Sequence, residues 1–323
     1  MRHRRVLVVG GAGFVGRHVV AALAARGARA TVPTRRRARA QHLFTLPTVD
    51  VVEADVLAPG ALERLAAGCD AAVNLPGVLH SRRGKPHERG PNGYGPDFAQ
   101  VHVELPQAVV NACRAAGVKR LLHMSALGAD PQGPSEYLRS KGIGERAVLA
   151  ADDLEVTVFR PSVIFGPEDS FLNLFARLAR FLPALVLACP GARFQPVYVR
   201  DVAAAFVDAL DARESYGRGY NLCGPRQYTL RELVETVCAI TGRRRMIVGL
   251  GERLSYLQAR LMELAPVKLM TRDNYYSMQV PSVCDGAFPF GIEPAALEAV
   301  APSWLAPVDP RARYADLRRH ARR

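Results

Sequence analysis

Residues 5–16, RVLVVGGAGFVG, constrain the fold more than any other stretch of this chain. A short apolar run ends at Gly10, and helical periodicity begins at Phe14 and stops at Gly27. Gly10, Gly13 and Gly16 stand where a strand turns into a helix, so the backbone can turn sharply and approach a bound group closely. The helix N-terminus then offers unpaired N–H groups and a positive dipole end to phosphate. Gly10, Gly13, Phe14, Val15 and Gly16 are therefore candidate cofactor-binding residues, in the strand–turn–helix context that a dinucleotide site requires.

The same alternation continues. ARATV, VDVVEA, DAAVNL, KRLLHMS and LEVTVFR read as strands. Between them the pattern predicts a basic helix near 35–46 and helices near 60–67, 97–116 and 135–150, the third bent or started at Pro106. Strands alternating with helices make a parallel sheet covered on both faces. The expected fold is α/β, a doubly wound parallel (Rossmann) sheet with a smaller C-terminal substrate lobe. Residues 1–165 form the dinucleotide-binding part, with segments near 193–222 returning to it, and 166–323 form the substrate lobe and a basic tail from Pro310. Asp201 is placed to cap one helix of that lobe, and Thr229 with Glu232 another. Residues 80–96, rich in Gly, Pro and Arg, read as a long loop after the fourth strand.

Composition narrows the partners. No apolar run approaches the roughly 20 residues needed to span a bilayer, and a basic pentapeptide leads directly into the first strand, which leaves no room for a targeting peptide. The six cysteines are scattered and read as reduced thiols of a cytoplasm-like compartment. The histidines show no metal-ligand spacing. The net charge of +13 favours anionic partners, but no aromatic-rich basic motif points to nucleic acid. Lysine is rare: Lys85, Lys119, Lys141 and Lys268 are the only ones among 43 basic residues.

Where the second strand ends, an NAD-binding sheet usually places an acid that holds the ribose 2′-hydroxyl. This chain has Thr34, Arg35 and Arg36, whose guanidinium forks suit a 2′-phosphate, so NADP(H) is favoured over NAD(H). Arg37 and Arg39 belong to a solvated basic helix. Asp55 and Val56, after the third strand, are placed to reach the adenine, with a helix cap as the alternative for Asp55.

Tyr137 and Lys141 form Y-x-x-x-K, which puts both side chains on one helix face. An ammonium beside the phenol would lower its pKa from the ordinary value near 10 and make Tyr137 a working proton carrier. Ser125, at a strand end, could orient a carbonyl or alcohol. An exposed helix face is the alternative reading of the pair.

GGAGFVG, Ser125, YLRSK and FRPSVIFGP, in that order, resemble the short-chain dehydrogenase/reductase superfamily in its extended or atypical branch. HMSALGAD, FGPEDSFLN and FQPVYVRDVA resemble the subgroup of the NADPH-binding accessory subunit of respiratory complex I and its bacterial relatives. The resemblance covers most of residues 4–230. It implies that Pro161, Ser162 and Val163 line the nicotinamide pocket, with Asn74 and Leu75 beside the cofactor. It also implies two functions: an NADP-dependent oxidoreductase acting on a small carbonyl or alcohol, or an accessory protein that holds NADPH at a respiratory or quinone-related membrane system. The first places the chain in the cytoplasm, the second at the membrane surface. A sugar-nucleotide epimerase or dehydratase shares the fold but usually retains NAD. Two departures stand out: Met124-Ser125-Ala126-Leu127 carries one hydroxyl where active extended members carry a run, and Ser125 lies only 12 positions before Tyr137. Arg193, Tyr198 and Arg272 are candidate substrate contacts in the second lobe.

Overall fold

The computed structural model describes residues 2–82, 93–265 and 269–306. The strand RVLVV forms β1 (Arg5–Val9), and the glycine turn leads into α1 (Phe14–Ala25). β2 (Arg29–Thr34) and β3 (Val49–Glu53) follow, then α2 (Ala61–Ala66) and β4 (Ala71–Asn74). The next helical stretch starts as α3 (Pro96–Phe98), passes through a π-helical turn (Ala99–Glu104) and continues as α4 (Leu105–Ala116). β5 (Arg120–Met124), α5 (Glu136–Leu149) and β6 (Glu155–Pro161) complete the alternation.

The second half is built of shorter pieces. β7 (Ile164–Phe165), α6 (Leu172–Phe181), β8 (Ala184–Leu187), β9 (Arg193–Phe194) and β10 (Val197–Tyr198) precede α7 (Val199–Ala209) and β11 (Arg218–Leu222). Then come β12 (Tyr228–Thr229), α8 (Leu230–Ile240), β13 (Met246–Gly249), α9 (Glu252–Met262), α10 (Arg272–Ser277), α11 (Leu297–Val300) and α12 (Pro302–Leu305).

Seven strands form one parallel sheet in the order β11-β6-β5-β4-β1-β2-β3. The order reverses between β1 and β4, so a crevice opens beyond their carboxyl ends. The alternation of β1 explains the two-sided cover: Val6 and Val8 join one core with α1 and α7, while Leu7 and Val9 join another with α2 and α4. A third core, including Phe165, Leu172, Leu187 and Leu233, holds the C-terminal elements together.

Several local expectations change. The basic stretch after β2 is a 3-10 helix, Arg37–Leu43, because Arg36 is still extended. Asp201 is not the cap of α7: Tyr198 holds that position, and the Asp201 carboxylate accepts from the Ala295 N–H at 2.7 Å. Thr229 and Glu232 do form a capping box on α8. The reading of all six cysteines as free thiols is corrected. Cys223, just past β11, is disulfide-bonded to Cys284, 61 positions away, and only Cys69, Cys113, Cys189 and Cys238 are free. The pairing is long-range and depends on how the chain folds back, so spacing could not show it. Most of the 80–96 loop and the whole tail from Pro310 lie outside the described residues. Among the described residues no helix is long and apolar enough to cross a membrane, and no cluster of His, Cys, Asp or Glu could hold a metal ion.

Candidate functional site

The glycine turn is built for a close approach. Gly10 has φ +81°, the left-handed region that favours glycine. A Cβ on Gly16 would lie 2.2 Å from the Gly10 carbonyl oxygen, so α1 can start against the turn only because residue 16 has no side chain. Gly13 caps α1 without a side-chain hydrogen bond, and the first turn of the helix contains no acid. Its leading N–H groups are thus left for an anion. Phe14 and Val15 occupy that first turn.

At the end of β2 the three predicted residues divide. The Thr34 side chain is buried and shapes the turn: its hydroxyl donates to the Arg36 carbonyl at 3.1 Å. Arg35 and Arg36 are exposed, and neither has an ion-pair partner among the described residues. Asp55 is not a helix cap: its carboxylate accepts from the Leu57 N–H at 3.1 Å in the turn before α2, whose N-cap is Gly60, while Val56 packs on the second core.

Beyond β4 and β5 the structure gathers Asn74, Ser125 and Lys141. Leu75 is buried and continues the β1–β4 ladder, its N–H donating to the Val9 carbonyl. Asn74 Nδ2 lies 3.1 Å from His123 Nδ1, and both residues are buried. Among the described residues, Asn74 Oδ1, His123 Nε2 and Ser125 Oγ are buried without a hydrogen-bond partner. Such groups are expensive to leave unpaired. Three of them at the carboxyl end of neighbouring strands fit a polar ligand in the crevice, where a dinucleotide's nicotinamide end belongs.

α5 carries Tyr137 and Lys141. Ser135 caps it, accepting from the Leu138 N–H at 3.1 Å. Asp273, from α10, accepts from the N–H groups of Glu136 at 2.6 Å and Tyr137 at 3.1 Å. A carboxylate at a helix N-terminus is favoured by the dipole. Lys141 is buried, and its ammonium donates to the Met124 carbonyl at 3.1 Å. Burial pulls its pKa down to about 8 despite the nearby Glu145. The expected lowering of the Tyr137 phenol does not occur: burial, with a smaller contribution from Asp273, pushes it up to about 12.

Two histidines had no assigned role in the sequence. His102, in the π-turn, is buried with its ring 5.5 Å from that of Tyr137, edge to face. Its Nε2 accepts from the Val78 N–H at 3.1 Å, which leaves Nδ1–H to donate to Ser140 Oγ at 2.9 Å. Burial first, and the Lys141 charge second, lower His102 to about 2. The same two causes lower His123 to about 3. Both rings are neutral in the folded protein. The signal for His123 was its place two residues before Ser125; for His102 there was none until α5 packed against the π-turn.

The FRPSV segment sits at the end of β6. Pro161 is the last residue of β6 and Val163 packs on the third core. The Ser162 hydroxyl is already engaged, donating to the Ser282 carbonyl at 2.7 Å. Arg193 bonds Gln227, Tyr198 stacks on Trp304, and Arg272 pairs with Glu263 at 3.0 Å.

The model of the NAD dependent epimerase/dehydratase family matches residues 6–223. Subunit 9 of the NADH dehydrogenase (ubiquinone) 1 alpha subcomplex, mitochondrial, of Mus musculus is 30% identical over 90% of this chain and 77% of its own. A ceramide reductase of Caulobacter vibrioides is 36% identical over 62% of this chain and 59% of its own. A nucleoside-diphosphate-sugar epimerase from Staphylococcus aureus superposes with a TM-score of 0.70 over 91% of this chain and 98% of its own, at 14% identity, a likeness of fold alone. With its glycine turn, its reversed parallel sheet and these relatives, the chain belongs to the NAD dependent epimerase/dehydratase family.

Proposed function

We propose that this chain binds NADP(H) in preference to NAD(H) and reduces a small carbonyl compound, with Tyr137 as the proton donor. The observation that carries the reading is the state of the Tyr137–Lys141 pair. Burial raises the phenol to about 12, so Tyr137 is protonated throughout the neutral range. That is the form that gives a proton to a carbonyl oxygen as it becomes an alcohol. Lys141, held on the Met124 carbonyl, supplies a donor beside the crevice. The unpartnered Ser125 hydroxyl would hold the substrate oxygen.

The bound nicotinamide would supply the hydride. Gly10, Gly13, Phe14, Val15 and Gly16 would hold the pyrophosphate, and Asn74 with Lys141 the nicotinamide end. Arg35 and Arg36 would hold the 2′-phosphate, free of the carboxylate that would repel it. That one similar protein is a reductase supports the direction of the chemistry.

A second reading rests on the Mus musculus relative, a respiratory-complex subunit. There the same residues would hold the nucleotide without turning it over, at the surface of a membrane complex. Binding kinetics separate the two. We expect NADPH to bind at least about tenfold more tightly than NADH, with the difference erased in R35A/R36A. Rapid NADPH exchange, turnover with a carbonyl panel and its loss in Y137F at unchanged NADPH affinity would establish the reductase. Slow release without turnover would establish the holding role, and NADH preference would refute both.

A further inference from the structure

Helix α9 wears its leucines outward. It buries Ser255 and Ala259, at 1% and 0% exposure, and leaves Leu254, Leu257, Leu261 and the following Leu264 at 56%, 47%, 59% and 79%. At about 100° per residue these four share one stripe. The stripe continues onto the outer side of the parallel pair β8–β13, where Val186, Met246 and Val248 are exposed, Val186 opposite Val248. Between helix and strands runs an open groove of about 480 Å³, floored by Val186, Leu250 and Met262.

The flank of this face is basic. Arg253 and Arg260 lie on α9 immediately beside the leucines, both exposed and both without an ion-pair partner among the described residues. Arg244 leads into β13, and Arg180 lies over the exposed Phe181 ring at 5.7 Å. The acids of this stretch are Glu252, which is exposed, and Glu263, which is bound to Arg272. Contiguous exposed apolar surface marks an interaction site rather than ordinary solvent-facing surface.

We propose that this face docks on an anionic lipid bilayer, with the leucine stripe in the headgroup boundary and the arginines on lipid phosphates. A stripe of leucines beside arginines suits that boundary: the arginine stems lie along the apolar surface while the guanidinium groups reach phosphate. A second copy is the less suitable occupant, because each chain carries a net charge of +13 and would bring its own arginine flank. The face belongs to the α9–α10 segment, whose Asp273 caps the Tyr137 helix, so a docked bilayer would lie on the side of the molecule that positions α5.

The test is co-sedimentation of the full chain with vesicles of phosphatidylcholine and of phosphatidylcholine with phosphatidylglycerol, at low and raised salt. We expect binding to the mixed vesicles only, weakened by salt, and at least about tenfold weaker in L254S/L257S/L261S, which leaves the charge unchanged. R253Q/R260Q should lose the preference for phosphatidylglycerol, and it keeps the test open if the leucine variant fails to give a wild-type melting curve. The proposal is overturned if the wild type ignores both vesicles, or if the folded leucine variant or R253Q/R260Q binds the mixed vesicles as the wild type does. A wild-type dimer that L254S/L257S/L261S converts to monomer would also overturn it and assign the face to a second copy.

Discussion

Lys141 is held by a compromise between packing and charge. Its ammonium is buried under the crevice and answered by the carbonyl of Met124, an acceptor without a full charge. The pKa therefore falls from 10.5 to about 8. Between those two values the unfolded chain binds a proton that the folded chain does not. Raising the pH then favours folding, while below about 8 both states are charged and the burial penalty is present in full. K141M removes the titration. The stability of the wild type relative to K141M should be flat below pH of about 8 and should rise by about 3 kcal/mol by pH of about 10.5. Urea melts of the two proteins across that range check it, and a difference that falls as pH rises would contradict the assigned burial. The Tyr137–Lys141 spacing was readable in the sequence, but the direction of the tyrosine's shift was not. The burial that sets it comes from His102 and Phe98 against its ring and from Asp273 at its backbone, 35, 39 and 136 positions away.

At the scale of elements, the pairing of α5 with the π-turn decides where Tyr137 stands. Gly144 makes it possible: a Cβ there would lie 1.8 Å from the His102 carbonyl oxygen, which is backbone and cannot swing aside. G144A should destabilise the protein by about 2 kcal/mol, because the overpacking exceeds the roughly 1 kcal/mol that alanine gains over glycine inside a helix. It should also lower carbonyl reduction by moving the Tyr137 helix off His102. Thermal melts and turnover on one preparation check both; a more stable protein would mean that the two segments are not in contact. The alternation of strands and helices was legible because hydrophobic periodicity is local. The π-turn was not, since it answers to α5, some 40 residues on, and the pattern near 97–116 showed only a helix with a proline in it. Gly142 and Gly144 inside YLRSKGIGERA were the available signal: two glycines that a helix would not choose unless another backbone came close.

Across the whole molecule, the C-terminal segment closes over the sheet at one point. Ser282 bridges Phe194 and takes the hydroxyl of Ser162, Cys284 N–H donates to Gln195 Oε1 at 3.0 Å, and Cys284 is joined to Cys223. The expected nicotinamide-side serine is thus part of a latch between the end of β6 and residues 282–284. Two kinds of tie hold that latch, and they respond differently to reductant. The hydrogen bonds remain when the disulfide opens, so the fold should survive reduction with the segment less constrained. Closing a loop of 61 positions removes unfolded-chain entropy equivalent to at most about 4 kcal/mol. Reduced wild type and C284S should therefore melt at the same temperature, below oxidised wild type, and C223S should match them. Equal melting of oxidised and reduced wild type would show that the two cysteines do not pair in solution. If the latch also shapes the crevice, S162A should change affinity for NADPH less in oxidised protein, where Cys284 still holds the segment, than in C284S, where the Ser162–Ser282 hydrogen bond is one of the few ties left.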